Sequence, residues 1–252
     1  MEKVRAKKHL GQHFLVDENI AQKIVNSLTN VEKPLIEIGP GMGVLTKYLI
    51  QKHPQFSVCE IDTESVEYLK EKYPELNIIE GDFLKLNLPE LYDENIAIIG
   101  NFPYNISSQI MFAVYDNREI VDEVVGMFQK EVAKRLASPP GNKDYGILSV
   151  LLQAHYDIEY LFDVPPGVFS PPPKVNSGVI RLIRKENFSL DCDERLFKNV
   201  VKATFNQRRK TIRNSIKSLN VDVSKLPDKY LKERPEQLSV ADFVEICNQI
   251  KH

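Results

Sequence analysis

Glu37-Ile38-Gly39-Pro40-Gly41-Met42-Gly43 stands where a β-rich run ends and a helical pattern begins. Glycines at alternate positions let a chain turn tightly out of a strand and let its backbone come close to a bound group. Upstream, the β-rich run covers residues 35–38; downstream, residues 45–52 carry helical spacing. The same alternation then continues along the chain. Residues 56–61, 77–79, 96–99 and 124–128 read as strands, and residues 64–72 and 107–115 as helices. Strands that alternate with helices build right-handed βαβ units, so the expected fold is α/β, a Rossmann-like, doubly wound parallel sheet.

Beyond Tyr145 the pattern changes. A helical stretch ends near Ala154, and two longer β runs, residues 158–164 and 179–183, flank a proline-dense segment from Pro165 to Pro173. Such a pair reads as an antiparallel hairpin added to the edge of the sheet. The polar run 185–194 reads as a linker, and the chain beyond it is helical in period, with Val201, Phe205, Ile212, Ile216 and Leu219 apolar. Two domains are expected: residues 1–185 around the sheet, and residues 186–252 as a small C-terminal all-helical domain.

With 42% hydrophobic residues in 252, the chain can bury a substantial core. A formal net charge of -2 with 27% charged residues gives the whole chain no overall polyanion-binding character. Cys59, Cys192 and Cys247 form none of the short pairs a zinc site uses, and an odd count argues against a disulfide framework. Residues 1–8 are basic but lead into no apolar core of a signal peptide, and no stretch approaches ~18 uninterrupted apolar residues. The expectation is a soluble cytoplasmic protein with no metal and no membrane partner.

The glycine loop implies a nucleoside-type ligand. Glu60 closes the second strand about twenty residues after the loop, where a carboxylate can accept hydrogen bonds from ribose hydroxyls. Gly81-Asp82 follows the third strand, and its carboxylate can accept from an adenine amino group. The loop reads GxGxG and not the dinucleotide GxGxxG. A nicotinamide-dependent dehydrogenase would also need a catalytic histidine, lysine or tyrosine and would leave the next motif unexplained.

That motif is Asn101-Phe102-Pro103-Tyr104, at the end of the fourth strand on the edge where doubly wound sheets bind ligands. It resembles the Asn-Pro-Pro-Tyr motif of amino-group methyltransferases. An aromatic amine delocalises its lone pair into the ring, and acceptors on its hydrogens help localise that pair towards an incoming methyl. The side-chain oxygen of Asn101 and the backbone carbonyl of Pro103 suit that task. Tyr104 suits stacking on the base, worth ~1 to 3 kcal/mol and so comparable with the cost of extruding a nucleotide. A zinc deaminase would need His-x-Glu and Cys-x-x-Cys ligands, which are missing.

Over nearly its full length the chain resembles the ribosomal RNA adenine N6-dimethyltransferase family, in its small-subunit branch. The resemblance rests on residues 8–15, Lys-His-Leu-Gly-Gln-His-Phe-Leu; on 37–43; on 101–107; on 169–175, Phe-Ser-Pro-Pro-Pro-Lys-Val; and on 205–211, Phe-Asn-Gln-Arg-Arg-Lys-Thr. It implies a class I methyltransferase sheet that binds S-adenosylmethionine. It also implies dimethylation of N6 on two adjacent adenosines in a hairpin loop near the 3' end of 16S rRNA, during assembly of the small ribosomal subunit. By the same resemblance Gln12, His13, Leu15, Gly39, Gly41, Glu60, Ile61, Asp82, Phe83 and Asn101 hold the cofactor, His13 and Leu15 at its methionine end. Phe169 would close on the base from the face opposite Tyr104. Phe102 and His13 depart from the family's commoner leucine and asparagine. The erythromycin-resistance methylases of large-subunit rRNA share these elements more loosely, and an assembly factor with incidental catalysis is a further alternative.

Between Lys198 and Lys217 there are seven lysines and arginines and no acid. Next to a base-extruding domain such a run reads as a phosphate-contacting face, with Arg208, Arg209, Lys210 and Arg213 central and Lys3, Arg5, Lys7 and Lys8 extending it. No RNA-recognition motif appears, so selectivity would come from RNA shape and the extruded base. A monomer is expected.

Overall fold

The computed structural model describes residues 4–250, in two compact units. One holds the chain up to Ala133 together with Ile158–Arg184; the other holds Lys134–Asp157 and the chain from Lys185 onward. The strands are β1 (Phe14–Leu15), β2 (Leu35–Ile38), β3 (Phe56–Glu60), β4 (Asn77–Glu80), β5 (Ile96–Asn101), β6 (Val121–Gln129), β7 (Tyr156–Val164), β8 (Phe169–Ser170) and β9 (Ser177–Arg184).

Seven of these form one sheet in the order β4-β3-β2-β5-β6-β9-β7. β2 pairs in parallel with β3 and β5, β3 with β4, and β5 with β6; β9 runs antiparallel to β6. The parallel part is what the alternation of strands and helices predicts, and the antiparallel edge is what the two longer β runs around the proline-dense segment predict. Every residue of β2 and β3 is buried, as is β5 as far as Gly100. Such strands read as continuous apolar runs because helices cover both faces of a parallel sheet. Leu35, Val58, Ala97, Ile99, Val125 and Val179 form its core with Leu49 and Leu69 from the helices Thr46–Lys52 and Thr63–Lys72. Each Val, Leu or Ile side chain among them contributes about 1.5–3 kcal/mol on burial.

The strand order reverses at β2, with β3 on one side and β5 on the other. The crevice of a doubly wound sheet opens beyond the carboxyl ends at that point, where the 37–43 loop and Asn101 both lie. A second, two-stranded sheet pairs Phe14 with Ser170 and Leu15 with Phe169, tying the N-terminal segment to the proline-dense one. Such long-range pairing of two-residue strands leaves no periodicity in the sequence.

In the second unit the helix Glu194–Asn206 is capped by Asp193, whose side chain accepts from the amide of Leu196 at 2.8 Å. It buries Phe197, Val200, Val201 and Phe205, and Phe243 of the helix Val240–Ile250 lies 6.5 Å from Phe197 and 6.1 Å from Phe205, ring centre to ring centre. The helix Ile147–His155, which the sequence reading puts with the sheet, packs on Glu194–Asn206. The reason is its composition: Val150, Leu151, Leu152 and Ala154 are all buried, too wide an apolar surface for a helix at a solvent-facing edge. No helix among the described residues is long and apolar enough to cross a membrane.

Candidate active site

One cleft at the carboxyl ends of the sheet is lined by Gln12, His13, Gly39, Gly41, Glu60, Ile61, Asp82, Phe83, Asn101, Pro103 and Tyr104. Residues read from five separate stretches of sequence thus converge. Leu15 and Phe169 do not line it. They are 3% and 4% exposed, face each other across β1 and β8, and belong to the hydrophobic core.

The 37–43 loop is held by Glu60. Its Oε2 accepts from the amide of Gly41 at 3.0 Å, and its Oε1 accepts from the amides of Ile61 and Asp62 at 2.9 Å each. Gly41 has φ 55°, and a Cβ there would sit 2.7 Å from the ring of Phe14, so only glycine fits. Burial pushes the Glu60 carboxyl up, against the pull of these amides. A carboxylate offers about four acceptor sites, and the three amides leave one on Oε2. At the end of β4, Asp82 accepts from the amide of Leu84 at 3.0 Å. Ile61, 53% exposed, gives the cleft an apolar surface beside these acids. Hydroxyl acceptors, an amine acceptor and an open apolar side chain suit a nucleoside.

Beneath the loop lies Glu37, 2% exposed, with Oε2 accepting from the hydroxyl of Thr46 at 2.6 Å. Burial pushes its carboxyl up to about 8, and the neighbouring charge of Glu60 adds to the effect.

Asp62, which the sequence reading missed, pins the N-terminal segment over the cleft. It accepts from Lys7 Nζ, from Gln12 Nε2 at 3.1 Å and from the hydroxyl of Ser65 at 3.2 Å. Gln12 Oε1 in turn accepts from the amide of Lys7 at 2.8 Å. Both ends of the Gln12 amide are therefore engaged within the protein. The one signal for Asp62 in the sequence is its place as N-cap of Thr63–Lys72.

At the other end of the cleft Asn101 Nδ2 donates to the backbone carbonyl of His13 at 2.8 Å. A carbonyl can only accept, so the amide must present its nitrogen there and keep Oδ1 as an acceptor on the opposite side. The carbonyl of Pro103 accepts from the amide of Ile106 at 3.1 Å and retains a second lone pair. The hydroxyl of Tyr104 lies 2.5 Å from that of Ser177, which fixes the ring. Phe102, the departure from the family pattern, is fully buried against Phe128, with ring centres 5.1 Å apart. Gly126 makes room for it, since a Cβ there would stand 2.5 Å from the Phe102 ring.

The basic residues divide. Lys7 is engaged by Asp62 and by Glu64, the latter at 3.1 Å, whereas Lys8 is exposed. In the second unit Arg209, Lys210 and Arg213 are exposed, Arg213 lying 3.4 Å from Asp228. Arg208 donates to the carbonyl of Lys143 and lies 3.7 Å from Glu236. Lys3 lies outside the described residues. Among the described residues no group of three or more histidines, cysteines and acids is placed to hold a metal ion.

Sheet order, glycine loop and strand-end acids define a class I methyltransferase fold. A solved 23S rRNA methyltransferase, ErmE, superposes with a TM-score of 0.69 over 95% of this chain and 100% of its own, at 25% identity. A dimethyladenosine transferase from Plasmodium falciparum superposes with a TM-score of 0.78 over 93% of this chain and 96% of its own, at 24% identity. The chain belongs to the ribosomal RNA adenine dimethylase family, whose model matches residues 3–252. It is 58% identical to ribosomal RNA small subunit methyltransferase A of Cytophaga hutchinsonii over 99% of both chains. It is 56% identical to the protein of that name from Flavobacterium johnsoniae, over 100% of this chain and 98% of the relative.

Proposed function

We infer that the protein transfers methyl groups from S-adenosylmethionine to the exocyclic N6 of adenosines in small-subunit ribosomal RNA, two to each base. The observation that carries this reading is the Asn101 amide, oriented by the His13 carbonyl so that an acceptor faces an incoming amine. Full-length relatives at 54–58% identity, named for the small subunit, support the choice of RNA.

When bound, S-adenosylmethionine supplies a methyl already activated on a sulfonium. The remaining work falls to the chain's own residues. Glu60 and Asp82 accept from the nucleoside part of the donor, and Gly39 and Gly41 let the backbone approach it. Asn101 Oδ1 and the Pro103 carbonyl accept the two amine hydrogens and draw the nitrogen lone pair out of the ring. Both are neutral oxygens, so they polarise the amine without taking its proton, which leaves to solvent. After the first transfer one N–H remains, and a single acceptor then orients the second. Tyr104 stacks on the base, and holding the reactants in line supplies most of the rate. The exposed Arg209, Lys210 and Arg213, with Lys8, contact phosphates. The protein acts as a cytoplasmic monomer on 16S rRNA within the assembling small subunit, on two adjacent adenosines of one hairpin loop.

The test offers labelled S-adenosylmethionine with unmodified small subunits and, separately, with 23S rRNA. Label in the small subunit alone is expected. Label in 23S rRNA would favour an activity like that for which ErmE is named, and tight subunit binding without label would favour an assembly factor.

A further inference from the structure

We propose that Ser177 is a positioning residue for methyl transfer: its hydroxyl holds the tip of the Tyr104 ring, and through that ring it sets where the amine of a stacked adenine comes to lie; this rests on the methyltransferase reading. Tyr104 is held at two other points. Its carbonyl accepts from the hydroxyl of Ser107 at 3.2 Å, and the imidazole of His13 lies against its ring, 5.5 Å centre to centre at 31°. With the backbone fixed, two torsions still place the ring. The phenolic oxygen lies on the axis of the second torsion, so a bond to that oxygen permits rotation about this axis and stops the swing about Cα–Cβ. Ser177 supplies that bond, oxygen to oxygen at 2.5 Å.

The anchor is firm because of its place in the sheet. The cleft opens where the parallel strands end, and an antiparallel strand brings its first residue to that same edge. β9 is antiparallel to β6, and Ser177 begins it, paired with Gln129 at the end of β6. On the other side of β6, Met127 pairs with Asn101, so one strand spaces the anchor from the amide that addresses the amine. The carbonyl of Asn176, next to Ser177, accepts from the amide of Lys130 at 2.9 Å. On the opposite face of the strand Gly178 lies close under Tyr160, where a Cβ would stand 2.5 Å from the hydroxyl. Ser177 itself is fully buried. A base stacked on Tyr104 moves with the ring. A swing at the tip therefore carries the amine away from Asn101 Oδ1 and the Pro103 carbonyl, while the stacking face persists.

The experiment measures kcat, KM for unmodified small subunits, the Kd of S-adenosylmethionine by calorimetry, and Tm for the parent, Ser177→Ala, Tyr104→Phe and the double variant. Each single change removes the same hydrogen bond and keeps the ring, so each is expected to lower kcat about tenfold, the upper range of what one neutral hydrogen bond supplies. KM and donor Kd should stay within about twofold, the mark of an interaction needed in the transition state alone. The double variant should fall no further than either single variant, because one bond is lost in all three. A Ser177 that only completes the packing would lower Tm and leave kcat as it is, and that result overturns the proposal. So do losses of kcat that multiply in the double variant, and a rise in KM or donor Kd as large as the fall in kcat. Should Ser177→Ala fail to fold, Tyr104→Phe removes the bond from its half-buried end, and parental kcat in that variant overturns the proposal by itself. Unchanged transfer by Ser177→Ala leaves the methyltransferase reading standing, whereas a parent that transfers no methyl overturns that reading and the proposal with it.

Discussion

Asn101 and His13 meet in the wall of the cleft, side-chain amide to backbone carbonyl, at 2.8 Å. Since the carbonyl accepts only, this hydrogen bond decides which end of the amide is left for a substrate. Asn101→Ala removes the acceptor, and Asn101→Asp sets two oxygens against each other where the amide donated. Both should lower kcat by about 10²–10³, the usual cost of losing one oriented polar group at a reacting atom. Donor Kd, read by calorimetry, should change little; a matching loss of donor affinity would place Asn101 in the donor site alone.

Asp62 should act as a latch. Burial raises its carboxyl, but hydrogen bonds from Lys7, Gln12 and Ser65 outweigh this and leave it below the usual carboxylate range. Its folded pKa being depressed, its contribution to stability is present above about 3.8, the unfolded value, and is lost as pH falls below that. Asp62→Ala strands Gln12 and Lys7, which should cost about 1–3 kcal/mol and weaken donor binding more than RNA binding. Thermal unfolding and calorimetry read both effects; a variant with parental Tm and donor Kd would refute the latch.

Glu37 gives the opposite pH dependence. Its carboxyl titrates from 4.5 unfolded to about 8 folded, so between these values the folded state holds a proton that the unfolded state lacks. Stability therefore falls as pH rises from 4.5 to about 8 and levels off above. Glu37→Gln keeps a partner for Thr46 and removes the titration. Its Tm should exceed the parent's by more at pH 8.5 than at pH 5, in roughly the window the shift defines. Parallel Tm curves for the two proteins would show that Glu37 is ionised in the folded state.

Much of this was legible in the sequence. The alternation of apolar runs with helical spacing located β2, β3 and β5, because strands buried on both faces are mostly apolar, Glu37, Ser57 and Glu60 being the buried polar exceptions. β6 reads three residues too short at its start, because Asp122 and Glu123 look like surface residues. In the fold Asp122 pairs with Lys33, and Glu123 accepts from the amide and hydroxyl of Thr29 at 2.8 and 2.9 Å. The cleft residues Glu60, Asp82 and Asn101 were readable because each stands at the end of a strand. Asp62, Ser177 and the burial of Leu15 and Phe169 were not, because they depend on which distant segments meet.

Gly41→Ala should separate the role of the 37–43 loop from that of the fold. The substitution forces a side chain into positive φ and against the Phe14 ring at 2.7 Å, a cost of about 1–2 kcal/mol. Donor affinity should fall at least about tenfold while the sheet still forms. A variant with parental donor affinity would show that the loop does not touch the donor.

The basic face of the second unit should reveal itself in salt dependence. Replacing Arg209, Lys210 and Arg213 together by alanine should reduce the slope of log affinity against log salt by about 0.7–0.9 for each phosphate no longer neutralised. An unchanged slope in filter-binding measurements would mark these side chains as solvent-facing only.

The most direct measurement is the mass of the modified nucleoside after the purified protein has acted on unmodified small subunits with S-adenosylmethionine. N6,N6-dimethyladenosine, absent from the reaction with Asn101→Ala, is the expected product. A methyl on any other atom, or a dimethyladenosine yield that Asn101→Ala leaves intact, would contradict the role of the Asn101 amide in addressing the adenine amine.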